Sequence, residues 1–270
     1  MIGLQIKELS FSYLNGLVLD SINLSIKAGE MVGLLGANGS GKTTLIKLAT
    51  GILKPLQGEI RLNDTDIAHL SRKFIARNVA VVPQQLFIPF AFTVREVVGL
   101  GRTPFVKILS GENAVDREAV RAALDIVGMT RLQERHFDEL SGGERQKVIL
   151  AMALAQQPKM LLLDEPLVHL DITHQVEMLE LVKTLNSEQG ITIIAAVHDL
   201  NLASLYFDRL VLLKGGKILN DGTPAQVITE EGIREAFSAE VSIGQHPTAN
   251  VPHIIVTPRD RENNNGTESR

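Results

Sequence analysis

The stretch Gly36-Ala37-Asn38-Gly39-Ser40-Gly41-Lys42-Thr43 decides how the rest of this sequence is interpreted. It matches the phosphate-loop pattern Gly-x-x-x-x-Gly-Lys-[Ser/Thr], and it stands between an apolar run at 31–35 and a helical run at 44–49. Glycines let the backbone turn its N–H groups inward, and the following helix adds its own unpaired N–H groups and dipole. An ordinary Gly-rich turn is the alternative. The pattern favours a phosphate site, with Lys42 on the β- and γ-phosphates and Thr43 on Mg²⁺.

Length and composition indicate one globular domain, or a domain with a lobe. The chain has 270 residues, of which 44% are hydrophobic and 21% charged, and its formal net charge is −4. This charge argues against broad electrostatic binding of nucleic acid. The absence of cysteine excludes disulfides and thiol chemistry. No apolar run reaches the roughly 18 residues of a membrane span, and residues 1–9 lack the order of a signal peptide, so we expect a cytosolic chain.

The pattern of apolar residues predicts an α/β fold with an antiparallel subdomain at its N-terminus. Alternating runs at 2–9 and 17–26 predict antiparallel strands joined by a turn at Asn15-Gly16. Short apolar runs predict buried strands of a parallel or mixed sheet. These lie at 79–82, 160–163 and 191–197. A hairpin through Gly215-Gly216 is predicted near the end.

The region from 93 to 157 is helical in pattern and predicts a lobe inserted into this core. Thr93 and Glu96 have the spacing of a capping box. Helices are predicted at 116–127 and 142–156 here, and at 70–77, 224–228 and 231–238 elsewhere. We expect residues 2–240 to form one nucleotide-binding domain, 241–258 a short C-terminal extension, and 259–270 a disordered polar tail.

Polar side chains follow three of the buried strands. Gln84 comes after 79–82, where its amide oxygen could reach Mg²⁺ or the attacking water. Asp164 and Glu165 follow 160–163; Asp164 is predicted to bind Mg²⁺, and Glu165 to deprotonate the water. We expect the two carboxylates to diverge along an extended backbone. His198 follows 191–197 and is predicted to contact the γ-phosphate. The alternative for each residue taken alone is that Gln84 is a polar loop residue and that His198 has only a structural role.

Two further features fit a nucleotide site. Ser141-Gly142-Gly143 opens a helix with small residues, which predicts a second anion-binding helix terminus. Tyr13 lies in a loop from which its ring could stack on adenine, although a half-buried loop tyrosine is the alternative.

Taken in order, these motifs resemble the ATP-binding cassette of ABC transporters, from Tyr13 to about Val241. The order is residues 36–43, Gln84, residues 140–144, residues 160–166, Leu170-Asp171 and His198. Residues 140–144 separate this family from other phosphate-loop ATPases. The resemblance implies a phosphate-loop NTPase core that binds ATP and Mg²⁺ and hydrolyses ATP.

The resemblance also assigns a role to each candidate residue. The catalytic residues are Glu165, His198 and Gln84. The metal ligands are Thr43, Gln84 and Asp164. The nucleotide-binding residues are Tyr13, Gly36, Ala37, Asn38, Gly39, Ser40, Gly41, Lys42, Thr43, Thr44, Ser141, Gly142, Gly143 and Asp171.

Family membership implies a head-to-tail homodimer in which each ATP lies between residues 36–43 of one copy and 141–143 of the other. A γ-phosphate covered by Lys42 and loop amides keeps open oxygens that only a second chain can reach. The implied partners are two polytopic permease subunits and a periplasmic or lipid-anchored binding protein, with no nucleic acid. The implied location is the cytoplasmic face of the inner membrane.

Shorter stretches of sequence similarity indicate which subfamily of ABC ATPases the chain resembles. Gly101-Arg102-Thr103-Pro104, residues 170–175 and residues 197–202 look like the ATPases of iron-siderophore, haem and cobalamin importers. The sequence departs from the common pattern at Glu144, Leu167 and Val168. The last of these puts in doubt a hydrogen bond across the dimer, but leaves Asp171 in place.

Other functions remain as alternatives. An importer for an oxyanion or a metal ion, or an exporter, would use the same cassette. A soluble ABC ATPase acting on DNA or ribosomes would carry long coiled coils or two cassettes. The interval 44–139 has no sustained heptads, and each motif occurs once.

Overall fold

The structure is a computed structural model that describes residues 1–14, 16–88, 91–106 and 113–256. In these residues the strands are β1 (Leu4–Tyr13), β2 (Gly16–Ile26), β3 (Met31–Leu35), β4 (Gln57–Leu62), β5 (Thr65–Asp66), β6 (Val79–Val82), β7 (Met160–Asp164), β8 (Thr192–Ala196), β9 (Arg209–Lys214), β10 (Lys217–Gly222), β11 (Val241–Gln245) and β12 (Pro252–Val256). The α-helices are α1 (Lys42–Ala49), α2 (Arg72–Asn78), α3 (Val94–Gly99), α4 (Ala114–Ile126), α5 (Gly142–Ala155), α6 (Ile172–Gln189), α7 (Leu200–Tyr206), α8 (Pro224–Val227) and α9 (Glu230–Phe237).

A six-stranded mixed sheet in the order β10-β9-β3-β8-β7-β6 forms the centre of the fold. Strands β9, β3, β8, β7 and β6 pair in parallel, and β10 joins the edge antiparallel. Every residue of β3, β7 and β8 is buried, which explains why these segments are continuous apolar runs. The predicted strands are confirmed. Their carboxyl ends share one edge of the sheet, where ligands of open α/β sheets bind.

The predicted N-terminal antiparallel sheet is confirmed, with strand order β2-β1-β4-β5. Strand β1 begins two residues later than predicted and continues to Tyr13, through register shifts near Glu8, whose φ is 47°. Such a bulge lets one strand bend and continue, and a purely alternating pattern does not reveal it. The predicted turn includes Asn15, which lies outside the described residues.

The described elements from Val94 to Ala155, between β6 and β7, are helical, as predicted. Helix α3 starts with the capping box of Thr93 and Glu96. Helix α4 starts at Ala114, earlier than predicted, because the Asn113 side chain accepts a hydrogen bond from the amide of Asp116 and caps the helix. Both α3 and α4 pack against α5.

A buried ion pair fixes the loop after α3 to α4 and α5. Arg102 Nε lies 2.9 Å from Asp116 Oδ1, and both side chains are at most 5% exposed. The guanidinium also donates to the carbonyl oxygen of Ala155 at 2.7 Å and covers the ring of Phe105. The Asp116 Oδ2 atom is buried and has no hydrogen-bond partner among the described residues, so Asp116 depends on Arg102.

We expect Arg102→Leu to lower the free energy of unfolding by about 3–5 kcal/mol, because it leaves a buried carboxylate without its cation. Arg121→Leu is the matched control, since Arg121 is 64% exposed and pairs with Glu118 on the surface of α4. Its expected loss is below about 1 kcal/mol. Urea denaturation of both variants measures the difference, and equal losses would contradict a structural role for the buried pair.

The C-terminal part follows the prediction closely. Strands β9 and β10 form the predicted hairpin, and Gly215 and Gly216 both have positive φ, as a tight turn of this kind requires. Helices α8 and α9 lie within two residues of their predicted bounds. Strands β11 and β12 form a hairpin in the extension, where Ser204 Oγ donates to the carbonyl oxygen of Pro252 at 2.7 Å. The predicted tail, 259–270, lies outside the described residues.

Across the described parts of the chain, none of the helices is both long enough and apolar enough to cross a membrane.

Candidate functional site

The loop between β3 and α1 has the conformation that the phosphate-loop pattern predicts. Gly36, Gly39 and Gly41 have φ of 146°, 79° and 108°, a region that L-residues rarely adopt. A Cβ at Gly41 would lie 2.5 Å from Leu19 Cδ2. Helix α1 has no side-chain cap, so its first N–H groups remain available to an anion. The buried Ser40 hydroxyl also has no partner among the described residues. The loop therefore fits a phosphate group.

Lys42 lies folded over this loop. Its Nζ donates to the carbonyl oxygens of Gly36 and Ala37 at 2.8 and 3.3 Å, and it lies 4.0 Å from Glu165 Oε1. Burial lowers the pKa of Lys42, and the negative charges of Glu165 and Asp164 oppose that shift. A buried cation held mainly by neutral carbonyls is well suited to receive an anionic phosphate.

The side chains of Thr43 and Asp164 are in contact next to the phosphate loop. Thr43 Oγ1 donates to Asp164 Oδ1 at 2.9 Å. Burial raises the pKa of Asp164, and the hydrogen bond from Thr43 opposes the rise. A hydroxyl, a carboxylate and the Gln84 amide oxygen are the oxygen donors that Mg²⁺ prefers. Within the described ranges, no group of three His, Asp or Glu side chains could hold a metal by itself. An ion here would therefore need further ligands, such as phosphate oxygens.

Glu165 is the centre of a three-residue cluster. Gln84 Nε2 donates to Glu165 Oε2 at 2.7 Å, and His198 Nε2 lies 2.5 Å from Glu165 Oε1. The three residues follow β6, β7 and β8, which are adjacent in the sheet, and the structure brings their side chains together. Their catalytic roles stay predictions.

The backbone at Glu165 corrects one expectation. Its φ is 55°, so Asp164 and Glu165 do not diverge along an extended backbone. The left-handed turn sends Asp164 toward Thr43 and Glu165 toward Gln84 and His198. A non-glycine residue in this region is strained by about 1–3 kcal/mol, and such strain concentrates at functional sites.

Gln84, Glu165, His198 and most of the phosphate loop line a cleft of about 570 Å³. Its lining residues are Val18, Asn38, Gly39, Ser40, Gly41, Lys42, Thr43, Thr44, Gln84, Glu165, Val168 and His198. Val18 and Val168 were not predicted to belong to the site. The only available signal for Val18 was its place on the strand after Tyr13.

Seven predicted nucleotide-binding residues do not line this cleft: Tyr13, Gly36, Ala37, Ser141, Gly142, Gly143 and Asp171. Tyr13 is 46% exposed and meets Phe11 edge-on, with ring centroids 4.8 Å apart. Asp171 caps α6.

The residues at 141–143 open α5 on its exposed end. Ser141 and Glu144 form a capping box, and hydrogen bonds from the Ser141 amide and hydroxyl lower the pKa of Glu144. This box occupies the amides of Ser141 and Glu144. The amides of Gly142 and Gly143 keep no acceptor among the described residues, so part of the predicted anion site remains.

The sequence pattern of the family described as ABC transporter matches residues 19–168. The chain belongs to the ABC transporter family. Members of this family hydrolyse ATP to drive transport. Among relatives of this ABC cassette is the petrobactin import ATP-binding protein FpuD of Bacillus anthracis, which is 39% identical over 94% of this chain and 93% of its own length. The iron(3+)-hydroxamate import ATP-binding protein FhuC of Bacillus subtilis is 38% identical over 93% and 94%.

Solved ABC structures have the same fold. A metal-chelate type ABC transporter in an inward-facing conformation matches with a TM-score of 0.84 and 27% identity, over 96% of this cassette and 99% of that chain. A dimeric ATP-binding cassette in a post-hydrolysis state, bound to ADP and Pi, matches with a TM-score of 0.71 and 28% identity, over 82% and 98%. The predicted fold class is thereby confirmed.

We expect Lys42→Ala to weaken ATP binding by about 100-fold, because it removes the buried cation that we expect to pair with the phosphates. Titration with a fluorescent ATP analogue measures the change. Lys183→Ala, an exposed lysine on α6, is the control and should bind normally. Unchanged affinity of the Lys42 variant would contradict the assignment of this cleft to phosphate.

Proposed function

We propose that this chain is the ATP-hydrolysing subunit of an ABC importer that takes up an iron chelate (siderophore), haem or cobalamin. The observation that carries the proposal is the position of Glu165, held between Gln84 and His198 at the mouth of the phosphate loop. A carboxylate in this position can orient water and take its proton. The names of the two relatives, a petrobactin and an iron(3+)-hydroxamate import ATP-binding protein, support import of a metal chelate.

The proposal assigns a task to the predicted site residues. Lys42 and the amides of residues 36–43 bind the phosphates, and Tyr13 stacks on adenine. Thr43, Gln84 and Asp164 would hold Mg²⁺, which supplies neutralisation of the phosphate charge. Glu165 accepts the proton of the attacking water. His198 donates to the γ-phosphate once ATP draws it from Glu165.

The working unit in this proposal is a head-to-tail homodimer. Residues 141–143 and Asp171 lie outside the cleft of their own chain, which supports their acting on the nucleotide of a second copy. The dimeric cassette with ADP and Pi is consistent with this arrangement. ATP then joins the two copies, and hydrolysis lets them separate. We assign residues 2–240 to the nucleotide-binding domain, with the helical lobe at 93–157, and 241–258 to an extension.

The proposed partners are two polytopic permease subunits and a periplasmic or lipid-anchored binding protein. The cassette would lie on the cytoplasmic face of the inner membrane. The test is purification of the tagged full-length chain from the membranes of its own host. We expect a polytopic membrane subunit to co-purify, together with a binding protein that binds a ferric chelate, haem or cobalamin. A binding protein for an oxyanion would change the substrate, and recovery with ribosomes or DNA alone would overturn the proposal.

A further inference from the structure

A second group of side chains, away from the cleft, connects the first turns of α5 and α6. Asp171 Oδ1 accepts a hydrogen bond from the amide of His174 at 3.0 Å, and His174 Nδ1 lies 2.9 Å from the same oxygen. These two contacts lower the pKa of Asp171, so the carboxylate remains charged and keeps its contact with the His174 ring. The imidazole therefore has an orientation fixed by the turn that precedes it.

The His174 ring packs directly on Gly143. A Cβ at Gly143 would lie 2.7 Å from both Cγ and Nε2 of His174, nearer than real Cβ atoms come to other heavy atoms. Because Cγ is the attached end of the ring, the imidazole could make room only by leaving Asp171. Gly142 differs, since a Cβ there would meet nothing within 4 Å. In the isolated chain, His174 is thus the reason why residue 143 has to be glycine.

A second link lies one turn further along the same pair of helices. Lys147 Nζ lies 2.7 Å from Glu177 Oε2, and this surface pair joins α5 to α6. It lies further from the small residues at the start of α5. The His174 ring, in contrast, packs on the turn that carries the unoccupied amides of Gly142 and Gly143.

We propose that His174 is a positioning residue that holds the 141–143 turn against the Asp171 turn, so that both enter the nucleotide site of a partner copy as one rigid unit. This inference rests on the proposed function, in which both turns act across the dimer. Donors to a phosphate are effective when they are fixed before the phosphate arrives. The ring supplies that fixing where it packs on Gly143.

The first arm of the test measures thermal unfolding without nucleotide. We expect Gly143→Ala to lower Tm by roughly 3–6 °C in the wild-type chain, because the methyl group collides with the ring. In the His174→Ala background the same change should shift Tm by less than about 1 °C. Gly142→Ala is the matched control, with no difference between the two backgrounds. An equal loss from Gly143→Ala with and without His174 would overturn the contact.

The second arm measures ATP-dependent dimerisation in full-length protein that carries Glu165→Gln to prevent turnover. We expect His174→Ala to weaken the dimer about tenfold, with monomer affinity for a fluorescent ATP analogue unchanged. His174→Asn, whose amide can still reach Asp171, should lose less. His69→Ala, an exposed histidine elsewhere, is the control.

A His174→Ala dimer as tight as the His69→Ala dimer would overturn the positioning role. If the Glu165→Gln reference stays monomeric with ATP, the proposed function itself fails, and the Tm comparison still decides whether the ring constrains Gly143.

Discussion

Glu165→Gln should lower the rate of ATP hydrolysis by about 100-fold or more while ATP binding is retained. Glutamine has the shape of glutamate and can still accept a hydrogen bond from Gln84 or His198, which hold the two carboxylate oxygens in the native chain. The amide has no basicity, so it cannot take a proton from water. Lys42 loses the nearby charge of Glu165 but keeps its hydrogen bonds to the carbonyl oxygens of Gly36 and Ala37, so we expect the phosphate loop to retain its nucleotide affinity.

The measurement is kcat from phosphate release, with affinity from a fluorescent ATP analogue. Glu188→Gln is the matched control, because Glu188 is exposed near the end of α6 and lies outside the cleft. Its kcat should equal that of the wild type. Turnover by the Glu165 variant within about threefold of that control would reject Glu165 as the general base.

Much of the site could be predicted because each of its parts is local in sequence. Glycines at 36, 39 and 41 define a loop that other residues cannot form. Polar residues directly after buried strands must lie at one edge of a parallel sheet. Gln84, Glu165 and His198 therefore come together whenever their strands are adjacent.

What could not be predicted depends on contacts between distant parts of the chain. The left-handed φ of Glu165 is imposed by its surroundings, since glutamate has no preference for that region. Val18 reaches the cleft because the antiparallel sheet packs beside the phosphate loop, where its neighbour Leu19 closes on Gly41.

The structural role of Arg102 could not be predicted from the short motif in which it lies. Its sequence neighbours suggested a subfamily, but an arginine between glycine and threonine in a loop is usually exposed. Only the fold places it beside Asp116 and the end of α5, where both charges are buried.

Ser141→Arg should abolish ATP-dependent dimerisation and leave nucleotide binding by the monomer unchanged. Ser141 is exposed at the start of α5 and lies outside its own cleft, so a long side chain can project outward without disturbing the core. Loss of the capping box should lower the free energy of unfolding by only about 1 kcal/mol. In the proposed dimer, the guanidinium would fill the space that the partner's γ-phosphate needs beside Gly142 and Gly143.

Light scattering of the Glu165→Gln protein, with and without Ser141→Arg, measures the dimer at saturating ATP. Ser141→Asn is the control, because asparagine caps helices as well as serine does and adds little bulk. We expect the asparagine variant to dimerise and the arginine variant to remain monomeric, with a dimer affinity at least about 100-fold weaker. Both variants keep residues 36–43 intact. A difference in dimer affinity between them is therefore attributed to the turn at residues 141–143, which contacts the partner's nucleotide in the proposed dimer. A stable ATP-dependent dimer of the arginine variant would show that residues 141–143 do not complete the partner's site.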